Sequence, residues 1–164
     1  MAAELTTPML GPNTRVITVQ NGVDAVERLA PILGADKVAG GVAYIATVIE
    51  APGVIKQTSQ FCALRFGRTD RKPDAVLEAF AAAGKKANCD LDVPKDIQAE
   101  RWEKFIFLTA MAGTTASHRS SVGPVVAKPE GLAFFRALME EARAVGKAPG
   151  TEISADYIEQ RMKS

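Results

Sequence analysis

Two side chains in this sequence combine a reactive group with an unusual setting. The first is Lys104, at the head of Phe105-Ile-Phe-Leu-Thr-Ala-Met-Ala112, a run in which only Thr109 is polar. An ammonium held against such a surface loses hydration, which favours the neutral amine and lowers the pKa toward the range of a general acid. A carbonyl being reduced by hydride needs such a donor, because charge develops on its oxygen and a proton must follow. A long stem lying along the apolar surface, with its ammonium in water, accounts for the same pattern. The second is Asn21, in the tripeptide Gln20-Asn21-Gly22. Its amide both donates and accepts, and the carboxyl ends of strands in open α/β sheets are where ligands bind. Asn-Gly also suits turns that need positive φ, so a structural reason serves equally here.

Other reactive residues carry less. Cys62 and Cys89 belong to no CxxC pair, and His118 has no neighbouring Cys or Glu to complete a metal set. Both thiols are expected to be buried and free, as in a reducing compartment. Gly40-Gly41 is a close glycine pair, but it sits inside a strand pattern with no helix start to receive a pyrophosphate.

The elements around these residues follow from periodicity. Residues 1–10 read as a helix end closed by Gly11-Pro12-Asn13. Arg15 to Gln20 reads as a buried strand of a parallel sheet, stopped by Asn21-Gly22. A helix over 24–33 has Asp24 as its N-cap and Gly34 as its stop. Strands over 38–50, 54–58 and 61–66, with a turn at Ala51-Pro52-Gly53, predict a small antiparallel meander. A helix over 73–87 turns Val76, Leu77, Phe80 and Ala83 inward, and Cys89 to Val93 forms an edge strand ended by Pro94. From Lys95 the texture becomes helical, with helices near 95–117, 130–148 and 154–164. The first of these is expected to be buried around most of its circumference. The fold class is therefore α/β. Residues 1–94 form the tail of an α/β sheet (a parallel sheet with an antiparallel addition), and 95–164 part of an all-helical domain.

Composition narrows the function. Hydrophobic residues make up 47% and charged residues 24% of the 164, the profile of a globular protein. A net charge of +1 gives no field for nucleic acid or a membrane surface. The basic clusters at 68–72 and 85–86 are short and read as solvated surface. With no apolar run near ~20 residues and no signal-peptide pattern at the start, a soluble, cytoplasmic protein is expected.

Taken in order, Val16-Ile-Thr-Val-Gln20-Asn21-Gly22-Val23, Glu27-Arg-Leu29, Val38-Ala-Gly-Gly-Val-Ala-Tyr-Ile45, Pro52-Gly53-Val54 and Trp102-Glu-Lys104-Phe105 resemble the 2-dehydropantoate 2-reductase (ketopantoate reductase) family. The resemblance implies NADPH-dependent reduction of a 2-oxo acid to a 2-hydroxy acid, on the route to pantothenate. It implies an active site in the cleft between a Rossmann domain and a helical domain. By resemblance Lys104 is the catalytic proton donor and contacts substrate, and Asn21 lies beside nicotinamide and substrate. Gly41 and the residues to Thr47 match the segment beside the cofactor.

The departures from the family pattern are equally specific. The sequence holds no Gly-x-Gly-x-x-Gly, so the resemblance implies a fragment that lacks the N-terminal phosphate loop. It also implies that the C-terminal helices bringing a glutamate and a serine to the substrate are missing. The family's asparagines after the lysine correspond to Leu108 and Ala112, and a later loop asparagine to Val122, which implies a less polar 2-oxo acid. Three functions follow as alternatives: a ketopantoate reductase-like oxidoreductase, a catalytically inactive remnant serving as a dimerisation or interaction module, and a related reductase for another hydroxy acid. A homodimer is the expected assembly.

Overall fold

The computed structural model describes residues 2–147 and 151–163. The chain divides into two compact units, Met1–Ile97 and Gln98–Ser164. In the first, a short helix α1 (Ala2–Thr6) and a 3-10 turn (Thr7–Met9) lead to strand β1 (Val16–Thr18) and helix α2 (Ala25–Leu33). Strands β2 (Val38–Ala51) and β3 (Val54–Gly67), helix α3 (Ala75–Lys86) and strand β4 (Asp90–Asp92) follow. The sheet order is β1-β2-β3-β4: β1 runs parallel to β2, β2 antiparallel to β3, and β3 parallel to β4.

Alternation along the strands assigns their two faces. Val16 and Val38 pack with Val26, Leu29 and Leu33 of α2, while Ile17 and Ala39 pack with Phe66, Leu77 and Ala81 on the α3 side. A sheet covered by helices on both faces is an α/β arrangement. Helix α3 begins at Asp74, whose Oδ1 accepts from the backbone N–H of Val76 and Leu77. Its Oδ2 accepts from Arg15 Nε at 2.6 Å, which ties the start of α3 to the chain entering β1. At the other end, a Cβ on Gly84 would lie 2.5 Å from Leu91 Cδ2, so only glycine lets α3 lie this close to β4.

Several expectations change here. The meander is one long hairpin: β3 continues through residues 59 and 60. At the register shift between Ile45 and Thr47, Ser59 Oγ accepts from the Ala46 N–H, and Thr58 Oγ1 donates to the Ala46 carbonyl. These polar side chains carry the pairing across a stretch whose composition suggested a break. Cys62 and Cys89 are free but exposed, not buried, because both lie in segments open to solvent. Asp24 holds the N-cap position without a capping bond, since its carboxylate pairs with Arg28. The buried face of α3 is Leu77, Ala81 and Gly84; Val76 is half-buried, Ala83 is exposed, and Phe80 stays 46% exposed although its ring lies 5.3 Å from that of Phe66.

The second unit holds α4 (Ile97–His118, which begins at the unit boundary), α5 (Val122–Val126), α6 (Pro129–Lys147) and α7 (Tyr157–Met162). Residues 148 and 164 of the expected helices lie outside the described residues. Helix α5 was not foreseen, because Gly123-Pro124 reads as a breaker; proline is tolerated in a first helical turn. Helix α4 is not buried all round. Trp102, Ile106, Ala110 and Thr114, four residues apart, form its buried stripe, and the rest of its apolar run is half-buried except Thr109 and Ala112, which are exposed. Glycines set the close approaches: Gly131 lies against the Val125 carbonyl and Gly146 against the Trp102 ring. Tyr157 donates its hydroxyl to the Glu103 carbonyl, and Arg136 pairs with Glu159, fixing α7 to α4 and α6.

Candidate functional site

In the first unit the candidate residues gather at the carboxyl end of β1. The chain leaves the sheet at Thr18 and bends through Gln20-Asn21-Gly22 before α2. Gly22 has φ +106°, a conformation that excludes side-chain-bearing residues, whereas Asn21 is not among the residues with positive φ. The turn therefore requires the glycine, and the conformational reason for asparagine falls away. Asn21 is exposed at this position.

Gly41 is buried directly beside the same strand end. A Cβ there would lie 2.9 Å from Ile17 Cγ2 and 3.1 Å from both the Thr18 carbonyl oxygen and Val19 Cγ1. Its glycine lets β2 pass beside the last residues of β1, just before the turn, so it shapes the site through the backbone. Thr47 is exposed and paired with Gln57 in the hairpin. Six residues separate it from Gly41, roughly 20 Å along a strand. The structure thus brings Gly41 to the base of the Asn21 turn and leaves Thr47 well away from Gly41.

Sequence reasoning passed over Thr18. This residue is 7% exposed, and its hydroxyl has no hydrogen-bond partner. A buried orphan polar group at a strand's carboxyl end calls for an explanation. The available signal was a hydroxyl inside the otherwise apolar run Val16-Ile17-Thr18-Val19.

Lys104 belongs to the second unit, on α4. It is half-buried, and burial holds its ammonium below the usual lysine range. At 100° per residue, Phe107, Leu108 and Met111 share its helical face, and all three are half-buried. Thr115, on the same face one turn further, directs its hydroxyl to the Met111 and Ala112 carbonyls. Next to Lys104 on the chain, burial, with Glu100 nearby, raises the Glu103 carboxyl above its usual range. Among the described residues no group of three His, Cys, Asp or Glu side chains could hold a metal, and no helix is long and apolar enough to cross a membrane.

Comparison with known proteins adds the family context. Residues 1–71 match the profile for ketopantoate reductase PanE/ApbA, and residues 96–164 match the profile for its C-terminal part. A 2-dehydropantoate 2-reductase from Caulobacter vibrioides is 30% identical over 159 residues, covering 93% of this chain and 50% of the relative. Among solved structures, the 2-dehydropantoate 2-reductase from Geobacter metallireducens superposes with TM-score 0.87 at 26% identity, covering 97% of this chain and 53% of the other. The enzyme from Porphyromonas gingivalis gives 0.84 at 25%, covering 95% and 54%. The chain spans about half the length of the curated relatives it matches.

Proposed function

Because the chain belongs to the ketopantoate reductase family, we propose that it carries part of the machinery of an NADPH-dependent 2-oxo-acid reductase on the route to pantothenate. The observation that carries this reading is Lys104: a half-buried ammonium with a depressed pKa, on an apolar helix face, inside the family-matched segment.

The cofactor supplies the hydride to the carbonyl carbon when bound. A carbonyl reduced there would gather charge on its oxygen, and the Lys104 ammonium would donate the proton that completes the hydroxyl. Loss of that proton is eased by burial, which favours the neutral amine left behind. Asn21 orients the nicotinamide and the substrate through its amide. Gly41 keeps the base of the turn open to a flat ring by holding side chains away from the strand end. Thr47 stands further out and is assigned to the cofactor by resemblance alone. The residues present suit the nicotinamide end of the cofactor. Phosphates are gripped in such folds by backbone N–H groups of a glycine-rich turn opening a helix, and no Gly-x-Gly-x-x-Gly occurs in these residues.

The test is 2-oxo-acid-dependent NADPH oxidation at saturating cofactor, with Lys104→Ala beside the unaltered protein. The proposal expects turnover that falls at least a hundredfold in the variant while its circular dichroism is unchanged. Equal turnover would remove Lys104 from the chemistry. In a fluorescence titration, NADPH is expected to bind these 164 residues weakly, and tight binding would overturn that assignment of the phosphates.

A second reading, an interaction module that self-associates, is favoured by one feature. The distal hairpin exposes Val48, Ile49, Val54, Ile55 and Phe61, with Ile49 76% and Ile55 64% accessible. Apolar side chains on an open ribbon invite pairing with another chain. Light scattering decides it: a homodimer supports the module, and a monodisperse monomer counts against it.

A further inference from the structure

The chain's two cysteines lie on neighbouring strands. Strand β4 pairs parallel with β3, with Ala63 opposite Asp90, Leu64 opposite Leu91 and Arg65 opposite Asp92. Cys62 and Cys89 each stand one residue before the first of these pairs, so the same register carries them opposite one another. Side chains alternate along a strand. Cys62 therefore shares the face of Leu64 and Cys89 that of Leu91, and both leucines pack in the cluster on the α3 side. The two thiols leave the sheet on one side, at its open rim, and both are free and exposed. Neighbouring strands run about 4.8 Å apart, inside the range of about 4.4–6.8 Å between the Cα atoms of a disulfide. The backbone under each thiol is held. Cys62 pairs with Ile45 of β2, and the Cys89 N–H donates to the Gly84 carbonyl at 2.9 Å, at the end of α3.

We propose that Cys62 and Cys89 form a dithiol site that a low-molecular-weight disulfide of the glutathione type converts into an intramolecular disulfide, clamping β4 to β3. This goes beyond the reductase reading and does not depend on it. In the first step one cysteine thiolate attacks a sulfur of the small disulfide; that S–S bond breaks, a mixed disulfide forms and one small thiolate leaves. In the second, the other cysteine thiolate attacks the protein sulfur of the mixed disulfide, the Cys62–Cys89 bond forms and the second small thiolate leaves. Two protein thiols are oxidised, one small disulfide is reduced to two thiols, and the two protons lost by the cysteines end on those thiols. The clamp falls where the fold is weakly tied. Strand β4 has three residues at the sheet edge, and its side-chain ties, Arg65 to Asp90 and Lys85 to Asp92, are surface ion pairs of the kind that stabilise little. Closing the loop from 62 to 89 also removes freedom from the unfolded chain.

The experiment exposes the fully reduced 164-residue chain to glutathione disulfide at mildly alkaline pH and follows it by intact-mass spectrometry and non-reducing peptide mapping. The proposal expects both thiols to disappear together and a linked Cys62–Cys89 peptide pair to appear. Glutathione-bearing chain should stay below about a tenth of the oxidised product, because the second attack is intramolecular. Cys62→Ser and Cys89→Ser, each keeping one thiol, are expected to stop at the mixed disulfide. The linked chain should melt roughly 5–10 °C above the dithiol and return to the lower midpoint on reduction with dithiothreitol. Thiols that stay reduced, glutathione that persists on both cysteines, disulfide-joined dimers in place of the internal link, or a linked chain that melts no higher would each overturn the inference. None of these results touches the reductase reading, which stands or falls on Lys104.

Discussion

The two ends of the β2–β3 hairpin have the same backbone pairing and opposite fates. At the base, Val38 to Val42 are all buried and Phe66 is fully inaccessible, sandwiched between β-sheet and α3. Beyond Ile45 both strands are exposed, although Ile49, Ile55 and Phe61 are as apolar as the residues below. Apolar character alone does not make a core; a facing helix does. Helix α4 shows the same division around its circumference, with Ile106 and Ala110 inaccessible on one side and the Lys104 face half-open on the other.

The comparison can be broken most forcefully at its two phenylalanines. Phe66→Ala removes a fully buried ring and is expected to destabilise the first unit by about 3–5 kcal/mol. Phe61→Ala, 60% exposed, is expected to change stability by less than about 0.5 kcal/mol. Urea unfolding measures both, and similar losses would mean that the distal hairpin is packed against something after all.

Glycines sharpen the same contrast. Gly41→Val forces methyl groups into Ile17 and the β1 backbone, an overpacking of about 1–3 kcal/mol. Gly53→Ala at the hairpin tip meets nothing within 4 Å, and only its φ of +78° resists the change, about 1 kcal/mol. The thermal midpoint should fall further for the first.

Next in size is Asp74, beneath the proximal end. Burial works to raise its pKa, but the Arg15 side chain and the N–H groups of Leu77 and Val76 outweigh it, and the carboxyl ends below its ordinary 3.8. A folded-state pKa below the unfolded one gives stability that is present above about pH 4 and lost as pH falls through the folded value. Asp74→Ala should cost about 1–2 kcal/mol at neutral pH through the lost cap and flatten that acid dependence in equilibrium unfolding.

These contrasts also mark what the residues alone could convey. The α2 and α3 helices, the Pro52-Gly53 turn and the position of the first strand were legible because local periodicity and turn chemistry agree with the tertiary structure, although that strand covers only Val16–Thr18 of the expected 15–20 and leaves Val19 and Gln20 exposed. The continuity of β3 was not, because it depends on Ser59 and Thr58 bonding across to Ala46, a partner thirteen or twelve residues away. The exposure of Phe61, Phe80 and Cys62 was hidden for a related reason: a single sequence shows which residues are apolar, not which face meets a neighbour. Of the site, Lys104 and Asn21 stand out by residue type. The roles of Gly41 and Thr18 depend on distances between strands that only the folded sheet sets.

The smallest stability effect belongs to Lys104. Its folded-state pKa lies below the ordinary 10.5, so the unfolded chain binds more protons just below that pH and stability rises with pH there. At neutral pH the half-buried charge works against folding, and Lys104→Met should raise stability slightly and remove the alkaline increase in urea midpoints.

The most direct test of the account is the titration of that single ammonium, followed by NMR of the Lys104 Cε and Nζ signals with and without a saturating 2-oxo acid. The account predicts a midpoint below 10.5 in the free protein that moves upward when the anionic acid docks beside it. An ordinary midpoint, indifferent to the acid, would contradict it.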